Sequence, residues 1–140
     1  GAAKMGKSDN NTIDLIDTPA NIRYKISQAV TDPARIKKSD PGTPEKCNVF
    51  ELHQLLSSEE EINLVSQTCR NAQIGCVECK KILSKNVIYL LSPFQLRRQK
   101  LSQKNKSYIL DILNDGGKSG RAIISETVKE VKEKMGVPNY

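Results

Sequence analysis

Apolar residues recur along most of this chain at intervals of three and four, the period of a helix with one buried face. The first such row is Ile22, Ile26, Ala29 and Val30. Thr18 precedes it as an N-cap residue, and Pro19 occupies the first helical position, where its missing N–H has no intrahelical partner to lose. The pattern predicts a helix to about Val30. Residues 31–46, TDPARIKKSDPGTPEK, hold three prolines, a glycine and four Lys/Arg, and predict a loop. A short helix comes next, through CNVFELHQLL. Ser58 and Glu61 have capping-box spacing for the next one, whose inner face would carry Ile62, Val65 and Cys69.

Gly75 breaks that pattern. Beyond it Cys76, Cys79, Leu83, Val87, Leu90 and Phe94 step along one face of a long helix, which Pro93 should kink or interrupt. The row returns in SYILDILN and is expected to stop at Asp115-Gly116-Gly117. Ser119 then caps a last helix with Ile124, Val128, Val131 and Met135 inside, Gly136 ends it, and Pro138 blocks extension. KNVIYLL is β-branched but continues the helical stripe, and no alternating run is long enough for a strand. The prediction is an all-α helical bundle without internal repeats.

Composition agrees. At 140 residues the chain is long enough for one domain, Trp is absent and aromatics are 4%, so the apolar mass is aliphatic. Charge adds more. There are 22 Lys+Arg against 16 Asp+Glu, a net +6, unevenly placed. Residues 80–106 carry Lys80, Lys81, Lys85, Arg97, Arg98, Lys100, Lys104 and Lys106 and no acid. A basic block of that length reads as a phosphate-facing surface, with a solvated helix face as the competing reading. No apolar run approaches the ~20 residues needed to span a bilayer, so no membrane partner is expected. No secretory signal pattern opens the chain. The expected compartment is the cytoplasm, where disulfides are rare. The abrupt opening, GAAKMGKSDNN, has the look of a piece of something longer.

Four cysteines, Cys47, Cys69, Cys76 and Cys79, are spaced C-x21-C-x6-C-x2-C. Cys76 and Cys79 lie one helical turn apart, Cys69 lies across the Gly75 break, and Cys47 comes from another helix. All sit on inward stripes and can converge. Four thiolates at one point suit an iron–sulfur cluster or tetrahedral zinc. Inert core cysteines would use the same positions, and the two readings stay open on spacing alone. Zinc ribbons use paired C-x2-C knuckles on hairpins, and a single such pair among helices tilts the metal reading toward a cluster. His53, six residues past Cys47, is expected on the helix surface rather than among the ligands.

Residues 1–8, GAAKMGKS, match G-x-x-x-x-G-K-[ST] literally. The context of a phosphate-binding loop is missing, because DNNTIDLID is polar and turn-like and no apolar strand ends in an Asp for magnesium. KMGKSD instead resembles the KMSKS signature of class I aminoacyl-tRNA synthetases. The chain beyond it is similar to tryptophanyl-tRNA synthetases in IDLIDTPANIRYKISQAVTD, the Asp-Pro-Gly loop, NVFELHQLL, the basic CKKILSKNVIYLLSPFQLRRQKL, and the closing AIISETVKEVKEKMGV. The resemblance covers essentially the whole chain and corresponds to the C-terminal part of a family member.

That resemblance implies a set of roles. Residues 1–17 would be the signature loop and linker of a catalytic domain, and 18–140 a helical, anticodon-binding domain without the Rossmann fold. Lys4 and Lys7 would offset charge on the departing pyrophosphate. Lys4, Met5, Gly6, Lys7 and Ser8 together would line the ATP site, with magnesium in the full enzyme. Gly6 stands where the signature usually has Ser, and a phosphate contact goes with that hydroxyl. Lys80, Lys81, Lys85, Arg97, Arg98 and Lys100 would grip tRNA(Trp). Some bacterial members carry C-x22-C-x6-C-x2-C around a 4Fe–4S cluster. This chain is one residue shorter in the first spacing, which implies the same cluster on Cys47, Cys69, Cys76 and Cys79. The implied whole enzyme is a homodimeric tryptophan–tRNA ligase using ATP and tryptophan. Alternatives are a tyrosine-specific relative, a metal-binding helical RNA module with no enzymatic parent, and a structural helical domain with free thiols.

Overall fold

The computed structural model describes residues 6, 11–104 and 106–137, which form five α-helices, one 3-10 turn and no strand. In order these are α1 (Pro19–Gln28), the 3-10 turn Pro44–Lys46, α2 (Asn48–Leu56), α3 (Glu59–Arg70), α4 (Cys76–Ser102) and α5 (Lys106–Met135). The all-α expectation holds among the described residues. The chain divides into two compact units, 1–97 and 98–140, with the division inside α4.

In the first unit α1 starts where its cap predicts: the Thr18 hydroxyl accepts from Asn21 N–H at 3.2 Å. Ile22 and Ile26, four residues apart, are buried. They pack with Val49 of α2 and Leu83, Val87 and Leu91 of α4 into one core, which Ile13, Leu52, Leu56, Cys47 and Cys79 flank. Burying each of the larger side chains contributes about 1.5–3 kcal/mol. Val30 lies past the end of α1 and is exposed. Asp17 anchors the approach to α1. Its carboxylate accepts from Lys25 at 2.7 Å and from the Asp14 N–H at 2.8 Å. The Lys25 bond, foremost, holds the Asp17 carboxyl below its usual range. Gln95 of α4 donates to the carbonyls of Leu15 and Asp17, fastening this turn to the bundle.

Only half of the expected capping box forms. Ser58 Oγ accepts from Glu61 N–H at 3.3 Å, but the Glu61 carboxylate turns away to Asn86 of α4, at 2.6 Å. Of the inner face predicted for α3, Val65 is buried and Ile62 and Cys69 are half-buried.

The long helix departs from expectation in two ways. Its buried stripe runs through Leu83, Val87 and Leu91, while Leu90 and Phe94 are exposed. Four-residue steps track this helix's core face better than the mixed steps assumed. The helix also continues through Pro93 to Ser102. Proline removes one backbone bond, and at an exposed position water can satisfy the freed carbonyl.

In the second unit α5 is continuous from Lys106 to Met135, with Gly116, Gly117 and Ser119 inside it. The expected break and the Ser119 cap are therefore absent. Glycine in a helix costs about 1 kcal/mol relative to alanine, which did not outweigh propagation through good helix formers on both sides. No α5 side chain is buried, so Ile124, Val128, Val131 and Met135 are not inside. The helix ends as predicted. Gly136 takes φ of 68°, its N–H bonds to Glu133 O and that of Val137 to Lys132 O, a Schellman closure. Pro138 lies outside the described residues.

Candidate metal centre and nucleic-acid interface

The four cysteines come from the α2 N-cap, the last turn of α3 and the first turn of α4. Each is a free, half-buried thiol. Burial pushes the Cys79 thiol up to about 12, with charge on Cys47, Cys69 and Cys76 adding to the rise. Burial raises Cys69 too, opposed by Arg35. Ionising Cys69 or Cys79 is resisted first by burial and then by the neighbouring thiols, and a bound cation would offset that resistance. Among the described residues no three His, Cys, Asp or Glu side chains are grouped as ligands of a single ion. A four-iron cluster asks for something different, because each thiolate binds a separate corner iron.

Two loop residues, Arg35 and Gly42, close on the Cys69 sulfur. Arg35, buried in the 31–43 loop, donates from Nη1 to Cys69 Sγ at 3.4 Å, and from Nη2 to the carbonyls of Lys38 (3.0 Å) and Ile74 (2.6 Å). Its Nε is buried with no hydrogen-bond partner. The guanidinium thus ties the loop to the α3–α4 turn and leaves a positive charge beside the sulfur. Gly42 presses on the same atom. A Cβ there would lie 2.4 Å from Cys69 Sγ, so only glycine lets the loop approach, and Gly42 N–H bonds to Cys69 O at 3.0 Å. Gly75 immediately precedes α4; its carbonyl accepts from Cys79 N–H and its N–H donates to Glu78.

His53 is not on the surface as expected but has no solvent exposure. It shares the face of α2 that carries Val49, one turn earlier. Its Nε2 lies 3.4 Å from Cys79 Sγ and 3.2 Å from Cys79 O, and its Nδ1 2.7 Å from Ser57 Oγ. Burial pushes its pKa below the usual imidazole value, so the ring is neutral at pH 7. Arg35, Gly42, Ser57 and Asn86 escaped sequence reasoning, and His53 was put on the wrong side of its helix. Asn86 had left a signal, because it interrupts the apolar face of α4 one turn after Leu83.

The basic block is mostly solvent-facing. In the first unit Lys81, Lys85 and Arg97 are exposed, while Lys80 donates to Ser27 O at 2.8 Å and satisfies a carbonyl at the end of α1. In the second, Arg98 and Lys100 are exposed, and Lys104 stacks over the Tyr108 ring at 4.1 Å. A cleft of about 380 Å³ beside Cys76 brings Lys37 and Lys38 from the loop next to Lys81, with Arg35 in its wall and Glu78 paired to Lys38 at 3.7 Å. Sequence reasoning counted the helix lysines and passed over these two. Of the KMGKS segment only Gly6 is described, its N–H donating to Asn11 Oδ1 at 2.9 Å. Lys4, Met5, Lys7 and Ser8 lie outside the described residues. No described helix is long and apolar enough to cross a membrane.

A family profile described as class I tRNA synthetases (W and Y) matches residues 1–92. The chain is 42% identical to a tryptophan–tRNA ligase of Deinococcus radiodurans, over 97% of this chain and 41% of that protein. It is 38% identical to that of Thermotoga maritima, over 96% and 41%. The crystal structure of tryptophanyl-tRNA synthetase from Campylobacter jejuni is similar with a TM-score of 0.80 and 28% identity, covering 96% of this chain and 43% of that one. A second structure of that Campylobacter protein is complexed with ADP and tryptophan. The chain spans about two fifths of the length of the curated relatives it matches.

Proposed function

Because the chain belongs to the class I tRNA synthetases of the tryptophan and tyrosine type, we propose that it forms the C-terminal, tRNA-binding part of a tryptophan–tRNA ligase. The whole protein would activate tryptophan with ATP and transfer it to tRNA(Trp). The observation that carries this reading is 42% identity to a tryptophan–tRNA ligase along 97% of the chain. The tyrosine-specific alternative shares the family profile, but the relatives from Deinococcus radiodurans, Thermotoga maritima and Aquifex aeolicus are tryptophan enzymes.

Residues 1–17 are assigned to the signature loop and 18–140 to the tRNA-binding helices. Lys4 and Lys7 offset phosphate charge in the activation step, with Ser8 a lesser contact and magnesium completing the ATP site. Tight contact with RNA phosphates falls to Lys81, Lys85, Arg97, Arg98 and Lys100. Lys80 serves there only by giving up Ser27. Lys37 and Lys38 extend the same chemistry into the cleft beside Cys76. The exposed cations on those elements support this assignment.

Cys47, Cys69, Cys76 and Cys79 are assigned to a 4Fe–4S cluster. The four half-buried thiols lie at three helix ends, and the Arg35 guanidinium beside Cys69 Sγ offsets the negative charge that four thiolates bring to such a cluster. When bound, the cluster supplies a covalent staple between the starts of α2 and α4 and the end of α3. The protein's own contribution is to hold three helix ends and the 31–43 loop around it.

Binding of this chain to tRNA(Trp) and tRNA(Tyr) transcripts over a salt series tests the assignment. Preference for tRNA(Trp) is expected. Reversing Arg97 and Arg98 to Glu should weaken binding and reduce the slope of log K against log salt by about 2. An unchanged slope removes those two residues from the interface. Charging of tRNA(Trp) with tyrosine but not tryptophan by the whole protein would overturn the substrate assignment.

A further inference from the structure

His53 belongs to a polar chain that crosses the buried seam between α2 and α4. Its direction is set by which atoms can donate. The Cys79 carbonyl oxygen, 3.2 Å from Nε2, can only accept, so the ring proton sits on Nε2. Nδ1 is then an acceptor and takes the Ser57 hydroxyl proton at 2.7 Å. Ser57 Oγ in turn accepts from Asn86 Nδ2 at 2.9 Å, and that amide group also donates to Glu61 at 2.6 Å. Every link from Asn86 through Ser57 and His53 therefore donates toward Cys79, and the series ends with one N–H shared between the Cys79 carbonyl and its sulfur at 3.4 Å. A fully buried imidazole with both nitrogens committed is an orienting device; a ligand to iron would need a free lone pair, and here neither nitrogen has one.

We propose that His53 is a positioning residue for the iron–sulfur centre, donating from Nε2–H to the Cys79 thiolate and raising the cluster's reduction potential. The inference rests on the cluster reading given above. Reduction adds a negative charge shared between irons and sulfurs, and an N–H dipole aimed at a ligand sulfur stabilises that state more than the oxidised one. The same bond holds the Cys79 side chain in one rotamer, so it also slows loss of the cluster. Ser57 and Asn86 act through His53 by fixing its tautomer.

The test compares anaerobically reconstituted wild-type chain with His53→Phe, His53→Gln and Asn86→Leu, each checked for helix content by circular dichroism. The readouts are iron and sulfide content, midpoint potential, and the rate of iron loss to a ferrous chelator. His53→Phe should lower the potential and speed iron loss about 10-fold. His53→Gln, whose amide can still donate, should restore much of both. Asn86→Leu, far from the sulfur, should shift the potential in the same direction by less. A wild-type potential in a folded, loaded His53→Phe chain overturns the inference and leaves the cluster reading intact. A wild-type chain that takes up no iron and sulfide overturns the cluster reading, and the inference with it. If His53→Phe does not fold, Asn86→Leu decides: an unchanged potential there overturns the relay.

Discussion

The two units of this chain share a helical period but not its outcome. In residues 1–97 apolar residues three and four apart disappear into a core: Ile22, Val49 and Leu83 have no exposure at all. In residues 98–140 an equally regular row, with Leu113 65% and Ile124 60% exposed, contributes no buried side chain. The first unit also contains buried Asp17, Asp32, Arg35 and His53, each with hydrogen-bonded partners. The lesson is that periodicity identifies a helix and its apolar side, whereas burial depends on which other helices pack against that side. Here the connections of the first unit bring α1, α2 and α4 together, so that Ile22, Val49 and Leu83 cover one another.

Substitution makes the contrast measurable. Leu83→Ala should lower unfolding free energy by about 2–5 kcal/mol. Ile124→Ala, on the open face, should change it by less than about 0.5 kcal/mol. Urea melts followed by far-ultraviolet circular dichroism check both, and comparable losses would erase the distinction between the units.

Glycine sharpens it further, with a change of sign. Gly42→Ala forces a methyl against Cys69 Sγ and should destabilise by about 1–3 kcal/mol, the range for overpacking. Gly116→Ala meets no atom within 4 Å and sits mid-helix, so it should stabilise α5 by about 0.5–1 kcal/mol. The same melts, read as midpoint shifts in opposite directions, check this pair.

The smallest effect concerns pH. Asp17 is paired with Lys25, and its carboxyl is held below 3.8 in the folded chain. A depressed carboxylate pKa adds stability above the unfolded value, and that stability is lost as pH falls through the folded one. Wild type should therefore lose stability relative to Asp17→Asn as pH drops below about 4. Parallel pH profiles for the two proteins would remove Asp17 from the account.

Most of the fold was legible from local signals. Thr18-Pro19, Ser58 and Gly136 each marked a helix end, and the structure uses them. The misses share a cause. Pro93 and Gly116-Gly117 are local breakers whose penalties of a few kcal/mol were outweighed by the cooperative helix around them. Leu90 and Phe94 fit the period yet face solvent, because partner positions are not encoded in one helix's own sequence. The thiols were legible from spacing. Their neighbours were not, since Arg35 and Gly42 reach Cys69 across about 30 residues of chain, a distance no periodic pattern spans. His53 was misplaced because it was read by its spacing from Cys47 rather than against the Val49 face it shares.

What separates the units most sharply is the thiol centre at the helix ends of the first. Iron and acid-labile sulfide, counted per chain in an anaerobic reconstitution alongside titration of accessible thiols, test it directly. The account predicts about four of each with no reactive cysteine remaining. Four titratable thiols with no bound iron or sulfide would contradict it.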